Sequence, residues 1–307
     1  MNAQDFAGVN QRYPRLEELV PGYWEQGTVL ANGIRQHYTR TGGEKPALVL
    51  LHGFAMDGLT WTRLAKRLEG EYDVIMPDAR GHAQSEGGLR DVAAETLAED
   101  VAALIGMLKL KRSFVLGHSM GASTAAHLAV AHPEVARAIA LEDPPLRPMD
   151  SAVMENEGYK AWQAQWLEYM PGLKRQTPEE RIAAALAQMP MAASYPEEEF
   201  VPWVEAQARL DLEMLPYFQD TSGVVPMREM IPQVRCPQLL MLAQPPQMAA
   251  YRGVNGDVSG QGNPDLEAVT SQWRDGELVI FEETGHLIHW ERFERFVEVV
   301  RGFLGKH

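Results

Sequence analysis

The sequence predicts an α/β protein, with a mostly parallel sheet flanked by helices and a helical insertion. Between residues 47 and 143, short apolar runs alternate with helical stretches, which is typical of parallel strands joined by crossover helices. This alternation stops after residue 143 and resumes near 235. We therefore expect a core built from 1–143 and 233–307, including an N-terminal extension over 1–26, and a helical cap over 144–232.

The core is predicted to begin with a β-hairpin. Segments 27–30 and 34–41 flank Asn32-Gly33, a dipeptide that strongly favours a two-residue hairpin turn. Buried strands and amphipathic helices then alternate along the core, at 47–51, 59–68, 74–76 and 91–108. In the expected cap, proline residues separate three helical stretches, at 155–170, 178–189 and 196–215.

The pentapeptide Gly-His-Ser-Met-Gly at 117–121 lies between an apolar run, 114–116, and a stretch of small and aliphatic residues, 122–130. A Gly-x-Ser-x-Gly sequence between a strand and a helix is typical of a nucleophile elbow, a sharp turn that exposes the serine hydroxyl. Its glycines are needed because the corner leaves no room for Cβ atoms. Ser119 is therefore the predicted nucleophile. The backbone N–H of Met120 begins the helix, where the helix dipole favours a negatively charged oxygen.

Four further segments follow the order of motifs found in the α/β-hydrolase family. His-Gly-Phe at 52–54 resembles the family's oxyanion loop, and 78–85 resembles its Asp-x-Arg-Gly-His-Gly-x-Ser turn, with Ala83 replacing the second glycine. The run 138–143 resembles the strand that follows the nucleophile helix. Gly-His at 285–286 resembles the turn that carries the catalytic histidine. The chain is similar to this family over about 28–143 and 235–305.

This resemblance implies roles for individual residues. His286 is the expected general base, because it follows a predicted strand and comes last in the family's order of catalytic residues. The oxyanion hole is expected to consist of two backbone N–H groups, that of Met120 and that of Phe54. Asp78 and Arg80 are expected to form a buried structural pair. The remaining histidines are weaker candidates for the base, since they lie in structural turns, on helices, beside the nucleophile or at the chain end: His52, His82, His118, His127, His132 and His307. His289 is expected to be a surface or packing residue.

The acid of the triad does not have its usual place in the chain, because the family's usual position holds Gln-Pro-Pro-Gln at 244–247. Asp143 lies 24 residues beyond Ser119, at the end of the strand that follows the nucleophile helix. This spacing resembles the alternative acid position of haloalkane dehalogenases and some lactone hydrolases of the same fold. We therefore expect Asp143 to orient His286. Asp257, in a glycine-rich loop, is the main alternative. Other carboxylates also remain candidates: Glu142, Glu282 and Glu283.

Composition limits the classes of partner. The net charge is −14 and the pI about 5.1, so nucleic acid and anionic lipid are unfavourable partners. Cys236 is the single cysteine, which excludes an intrachain disulfide and suits a reducing compartment. The N-terminus lacks the pattern of a signal peptide, and no run reaches 18 apolar residues. With no paired Cys/His metal spacing, we expect a cytoplasmic protein that uses neither a metal nor another cofactor and contacts no membrane.

Together these features predict a serine hydrolase that cleaves a carboxylic ester or lactone. Trp162 and Trp166 in the expected cap are candidate substrate contacts and suggest an apolar or aromatic substrate. A serine nucleophile argues against epoxide hydrolase and dehalogenase chemistry, which uses a carboxylate nucleophile in this family. A carbon–carbon bond hydrolase or an amidase with the same triad remains an alternative. So does a degenerate ligand-binding protein, since the usual acid is missing.

Overall fold

The computed structural model describes residues 13–88, 92–146, 164, 168–214, 227–244 and 264–307. These residues form one eight-stranded sheet in the order β1-β2-β4-β3-β5-β6-β7-β8. Strand β2 runs antiparallel to both of its neighbours, β1 and β4, and the other pairings of this sheet are parallel. The strands are β1 (Glu25–Ala31), β2 (Ile34–Arg40), β3 (Ala47–Leu51), β4 (Asp73–Pro77), β5 (Ser113–His118), β6 (Ala136–Glu142), β7 (Gln238–Gln244) and β8 (Gly276–Glu282).

Helices cover both faces of the sheet. They are α1 (Leu16–Leu19), α2 (Thr62–Leu68), α3 (Ala94–Met107), α4 (Met120–Ala131), α5 (Pro178–Gln188), α6 (Glu197–Arg209), α7 (Met227–Met230), α8 (Pro264–Thr270), α9 (Ile288–Glu291) and α10 (Phe293–Leu304). Short 3₁₀ turns span Gly58–Trp61, Pro190–Ser194, Leu212–Met214 and Ile231–Gln233. A further helical segment covers 168–173. Within the described ranges, no helix combines the length and apolar character needed to cross a bilayer.

Side chains of the buried strands point alternately to the two faces of the sheet, and each face has its own hydrophobic core. In β3, Leu48 and Leu50 pack with α2 and α10, whereas Val49 and Leu51 pack with α3 and α4. Successive side chains of a strand point to opposite faces, so a strand covered on both faces must be apolar throughout. The predicted α/β fold class is thereby confirmed.

The hairpin is confirmed in its turn and register. Ala31 pairs with Ile34 across the turn, and β1 and β2 stay in register from there to Glu25 and Arg40. Asn32 and Gly33 both have positive φ, 46° and 79°. Positive φ at both central residues matches the twist of the two strands, which is why Asn-Gly is favoured there.

Several predicted helix boundaries differ from the structure; the helix expected over 59–68, for example, begins as the 3₁₀ turn Gly58–Trp61. The helix expected over 91–108 begins at Ala94, and the helix expected over 196–215 ends at Arg209 because Leu210 adopts extended backbone. Apolar residues continue at helical spacing past both points, so the sequence pattern does not reveal where the chain leaves the helix.

Between β6 and β7, the regular elements that the structure describes are all helical, and we call this segment the insertion. Met170, Leu173 and Leu210 pack against Ala55, which follows the carboxyl end of β3. Asp211 donates its backbone N–H to the carbonyl of Gly81, beyond the carboxyl end of β4. The insertion therefore packs against loops at the edge of the sheet where the parallel strands end.

Contacts between acidic and basic side chains link helix α6 of the insertion to the core. Arg63 pairs with Glu199 at 3.3 Å, Lys66 pairs with Glu198 at 2.6 Å, and Arg209 pairs with Asp57. Burial raises the pKa of Asp57 to about 7, although Arg209 opposes this shift.

Glu199 is also fully buried at this contact. Burial raises its pKa to about 8; Arg63 opposes the shift, whereas the charge of Glu142 adds to it. The contact between the insertion and the core thus contains carboxyl groups that favour their protonated form.

We predict a pH-dependent effect of Glu199→Gln on stability. Between pH 4.5, the ordinary pKa, and about pH 8, folded Glu199 keeps a proton that the unfolded chain releases. Its contribution to stability therefore falls as the pH rises through this window, while glutamine has no such loss. In thermal scans, the melting temperature of the variant relative to that of wild type should therefore rise steadily from about pH 5 to about pH 8.

Glu198→Gln is the matched control, because it removes the neighbouring, partly exposed ion pair to Lys66 on the same helical turn. An equal pH dependence in both variants would contradict the assignment to Glu199.

Candidate active site

The strand-to-helix corner at residue 119 has the geometry of an elbow. Strand β5 ends at His118, Ser119 has φ 52° and ψ −111°, and α4 begins at Met120. A non-glycine residue with positive φ is strained, and such strain concentrates at functional sites. The Ser119 N–H donates to the carbonyl of Glu142 at 2.9 Å, which ties the corner to the end of β6.

The two glycines of the pentapeptide lie where no side chain fits. A Cβ atom on Gly117 would overlap the carbonyl oxygen of Gly121, and one on Gly121 would overlap the carbonyl oxygen of Leu51. Helix α4 can therefore lie directly against the ends of β3 and β5. This close approach supports the predicted reason for the glycines.

His286 lies on the turn between β8 and α9. Gly285 donates its N–H to the carboxylate of Glu291 at 2.8 Å, and Thr284 donates its N–H to the carbonyl of Gln244 at 3.0 Å. The Nδ1 atom of His286 lies 2.6 Å from Oδ2 of Asp143. A carboxylate only accepts hydrogen bonds, so this contact places a proton on Nδ1 and leaves Nε2 as an acceptor in the neutral ring.

Asp143 is held by backbone groups of the neighbouring strand. It follows the last residue of β6, has φ 43°, and its side chain is 1% exposed. Its Oδ1 accepts the N–H of Ala243 at 3.1 Å, and its own N–H donates to the carbonyl of Met241 at 2.8 Å. Strand β7 thus lacks a carboxylate at the usual position, but its backbone orients the carboxylate of the adjacent strand towards His286.

The loop that contains Phe54 is supported by neutral histidines. His52 donates from Nδ1 to the carbonyl of Gly53 and accepts the N–H of Ala79 at Nε2. His82 accepts the N–H of Ala55 at Nε2, 3.3 Å away.

Burial lowers the pKa of both histidines, that of His82 to about 3. Both rings therefore stay neutral, as their acceptor roles require. They hold the Phe54 loop near the N-terminal end of α4, where Met120 has a backbone N–H without a helical partner.

Asp78 and Arg80 were expected to pair with each other, but each pairs with another residue. His37 donates from Nδ1 to Asp78 at 2.9 Å, and Arg80 pairs with Asp100 at 2.5 Å. Burial acts to raise the pKa of Asp78, but the hydrogen bond and charge of His37 lower it. The sequence prediction was wrong because nearness along the chain does not determine which buried charges meet.

Two buried histidines were not predicted to contact the site. His118 donates from Nε2 to the carbonyl of His286 at 3.0 Å, with the ring centroids 4.6 Å apart. Burial and the charge of His286 lower its pKa well below the usual value. His289 is 1% exposed and donates from Nδ1 to Glu142 at 2.7 Å, so it is a packing residue rather than a surface one.

The alternative acids and the expected substrate contacts remain to be located. Glu142 has His289 as its partner, and Glu282 and Glu283 are exposed. Trp162, Trp166 and Asp257 lie outside the described residues. Among the residues that the structure describes, no three His, Cys, Asp or Glu side chains are grouped so that they could hold a metal ion.

Comparison with known proteins identifies the family. The profile of the alpha/beta hydrolase fold family matches residues 46–202, about half of the chain. The chain therefore belongs to the α/β-hydrolase family.

A similar curated protein is the N-formylmaleamate deformylase of Pseudomonas putida. It is 27% identical over 287 residues, which cover 91% of this chain and 96% of the deformylase. The crystal structure of an N-formylmaleamic acid deformylase from Pseudomonas putida matches with a TM-score of 0.70 at 24% identity, covering 90% of this chain and 100% of that one. An enol-lactonase from Burkholderia xenovorans matches with a TM-score of 0.67 at 19% identity, covering 91% and 100%. These two structures share the fold.

We predict that Gly121→Ala destabilises the protein by about 3 kcal/mol, the upper end of ordinary overpacking costs. The added methyl group would overlap the backbone of β3, which cannot move without disturbing the sheet. Urea unfolding followed by circular dichroism gives the free energy of unfolding.

The matched control is Gly106→Ala near the end of α3, where an added Cβ meets no atom within 4 Å. That variant should gain about 0.5 kcal/mol through helix propensity. Equal stability of the two alanine variants would contradict the steric argument.

Proposed function

We propose that the protein is a serine hydrolase that cleaves a carboxylic ester or lactone through an acyl-enzyme on Ser119. The observation that carries this proposal is the 2.6 Å contact between His286 Nδ1 and the buried carboxylate of Asp143. The turn of this histidine is also hydrogen-bonded to His118, the residue before the serine, and this supports the proposal. A serine needs such a base, and the base needs such an orienting group.

In the first half of the proposed reaction, Ser119 Oγ attacks the carbonyl carbon while His286 Nε2 takes the hydroxyl proton. The negative oxygen of the tetrahedral intermediate accepts hydrogen bonds from the backbone N–H groups of Phe54 and Met120. The intermediate collapses as the carbon–oxygen bond to the alcohol breaks, and His286 gives its proton to the departing oxygen. Asp143 keeps its charge and stabilises the imidazolium.

In the second half, water attacks the acyl-enzyme. His286 takes a proton from the water, the same two N–H groups bind the new oxyanion, and the proton returns to Ser119 as the acid leaves. The side chains, the substrate and water supply every proton and electron pair in this cycle. We therefore propose a reaction without a cofactor.

The helical insertion is proposed to act as a lid over Ser119. Its support is the packing of Met170 and Leu173 against Ala55, next to the proposed oxyanion donor Phe54. An apolar surface at this position would favour an apolar or aromatic substrate. Trp162 and Trp166 remain proposed contacts of that substrate.

Hydrolysis of an amide is the second candidate, favoured by the similarity to the N-formylmaleamate deformylase along most of both chains. The same proposed residues would serve, because a histidine that protonates a departing oxygen can also protonate a departing nitrogen. Amide and ester hydrolysis therefore differ in the substrate pocket rather than in the triad.

A substrate panel tests the proposed bond specificity. Purified protein is assayed with p-nitrophenyl esters, lactones, N-formyl and other amides, and diketones, with kcat/KM as the readout. The proposal expects the highest kcat/KM on an ester or lactone. A higher value on an N-formyl amide would establish the second candidate, and turnover of diketones alone would contradict both.

We predict that Ser119→Ala lowers kcat for ester hydrolysis by about 10⁶, as expected when a triad loses its nucleophile. The fold should persist, since only a hydroxyl group is removed. A fluorophosphonate probe should label the wild-type protein quickly and leave the variant unlabelled. Unlabelled wild-type protein without turnover would instead favour a degenerate ligand-binding protein.

For the acid, we predict that Asp143→Asn lowers kcat by about 10⁴ with little change in KM. Asparagine keeps the shape but loses the charge and permits the wrong tautomer of His286. Asp257→Asn, assayed beside it on one activated ester, should cost less than about tenfold because no step involves it. The reverse ranking would move the acid to residue 257.

A further inference from the structure

We propose that Glu142 is a positioning residue that holds the turn carrying His286 in register with Ser119. The inference rests on the proposed function, because it concerns the alignment of the proposed nucleophile and base. Glu142 touches neither reacting atom in this proposal. It acts through His289 and through the backbone of the elbow.

Glu142 contacts both halves of the candidate site at once. It is the last residue of β6, and its carbonyl oxygen accepts the N–H of Ser119 at 2.9 Å. Its side-chain Oε1 accepts two hydrogen bonds from His289, at 2.9 Å from the backbone N–H and at 2.7 Å from Nδ1. One buried residue therefore links the backbone of the nucleophile to helix α9, directly after the turn of His286.

The arrangement repeats the contact between Asp143 and His286 one residue away. Glu142 and Asp143 are consecutive, and their partners His289 and His286 are three residues apart. The turn is thus attached to the end of β6 at two points through two carboxylates. A turn attached at one point could pivot about it, whereas two attachments also define its orientation.

Aromatic packing restricts the same turn further. The ring of Trp61 stacks on His289 with centroids 4.2 Å apart and planes inclined by 28°. His118 lies 4.6 Å from the ring of His286 and 5.6 Å from that of His289. The Glu142–His289 contact therefore lies within a close-packed layer directly beside the proposed base.

Stability alone explains this buried pair poorly. Both side chains are at most 1% exposed, and removing a carboxylate from water is costly even when it has a partner. Among the described residues, Glu142 Oε2 and His289 Nε2 have no hydrogen-bond partner, so this cost is only partly offset. A displacement of about 1 Å in a reacting group can cost about 10² in rate, which gives precise alignment a catalytic value.

Glu142→Met and Glu142→Gln test the proposal together. Methionine removes the acceptor of both His289 hydrogen bonds, so kcat on an activated ester should fall about 10²-fold with little change in KM. Glutamine keeps a carbonyl oxygen at the position of Oε1, so it should stay within about tenfold of wild type. Rescue by glutamine separates positioning from a need for the charge itself.

His289→Phe tests the other side of the contact. Phenylalanine can keep the stacking on Trp61 and the backbone N–H to Glu142, but it lacks the Nδ1–H donor, so kcat should fall, though by no more than in Glu142→Met. The double variant should be no slower than Glu142→Met, because that change already removes the hydrogen bond that His289→Phe removes. Additive losses would overturn the proposal. If Glu142→Met does not fold, full kcat in His289→Phe would overturn it equally.

Asp73→Asn is the control for a purely structural role. Asp73 is a buried carboxylate that pairs with Arg40 at the start of β4, whereas the site lies where the parallel strands end. Its loss should lower the melting temperature and leave kcat unchanged. If Glu142→Met behaves like Asp73→Asn, the positioning role is wrong while the proposed triad stands. If Ser119→Ala keeps its activity, the proposed function itself fails.

Discussion

Two consecutive carboxylates, Glu142 and Asp143, are buried at the end of β6 and accept hydrogen bonds from two histidines of one turn. The carbonyl of Glu142 also accepts the N–H of Ser119, so the end of β6 is hydrogen-bonded both to the elbow and to the histidine turn. Because every parallel strand ends at the same edge of the sheet, side chains from distant parts of the chain can meet there. The geometry of the site depends on this strand end more than on any single loop.

Burial has opposite effects on the histidines and on the acids around the site. It lowers the pKa values of His52, His82 and His118, so these rings stay neutral and serve as hydrogen-bond donors and acceptors. At the contact between the core and the insertion, it raises the pKa values of Asp57 and Glu199. The three histidine rings beside the site therefore stay neutral near pH 7, whereas the contact between the core and the insertion depends on pH.

The position of Asp143 illustrates how a carboxylate of the neighbouring strand can contact His286. Adjacent strands lie about 4.8 Å apart, so the ends of β6 and β7 are both near the turn of His286. Here β7 contributes a backbone N–H from Ala243, and β6 contributes the carboxylate. Such an exchange preserves the contact with the histidine while it leaves Gln244 at the usual position.

Local patterns were sufficient to predict the sheet, the hairpin and the elbow, because apolar runs, Asn32-Gly33 and Gly-x-Ser-x-Gly express local backbone requirements. Motif order and spacing also led to the prediction of His286 and Asp143. The partners of most buried groups, in contrast, follow only from the folded chain. His286 meets Asp143 across 143 residues of chain, and Glu142 meets His289 across 147. These pairings depend on strand register and side-chain direction between distant segments, which local sequence patterns do not contain.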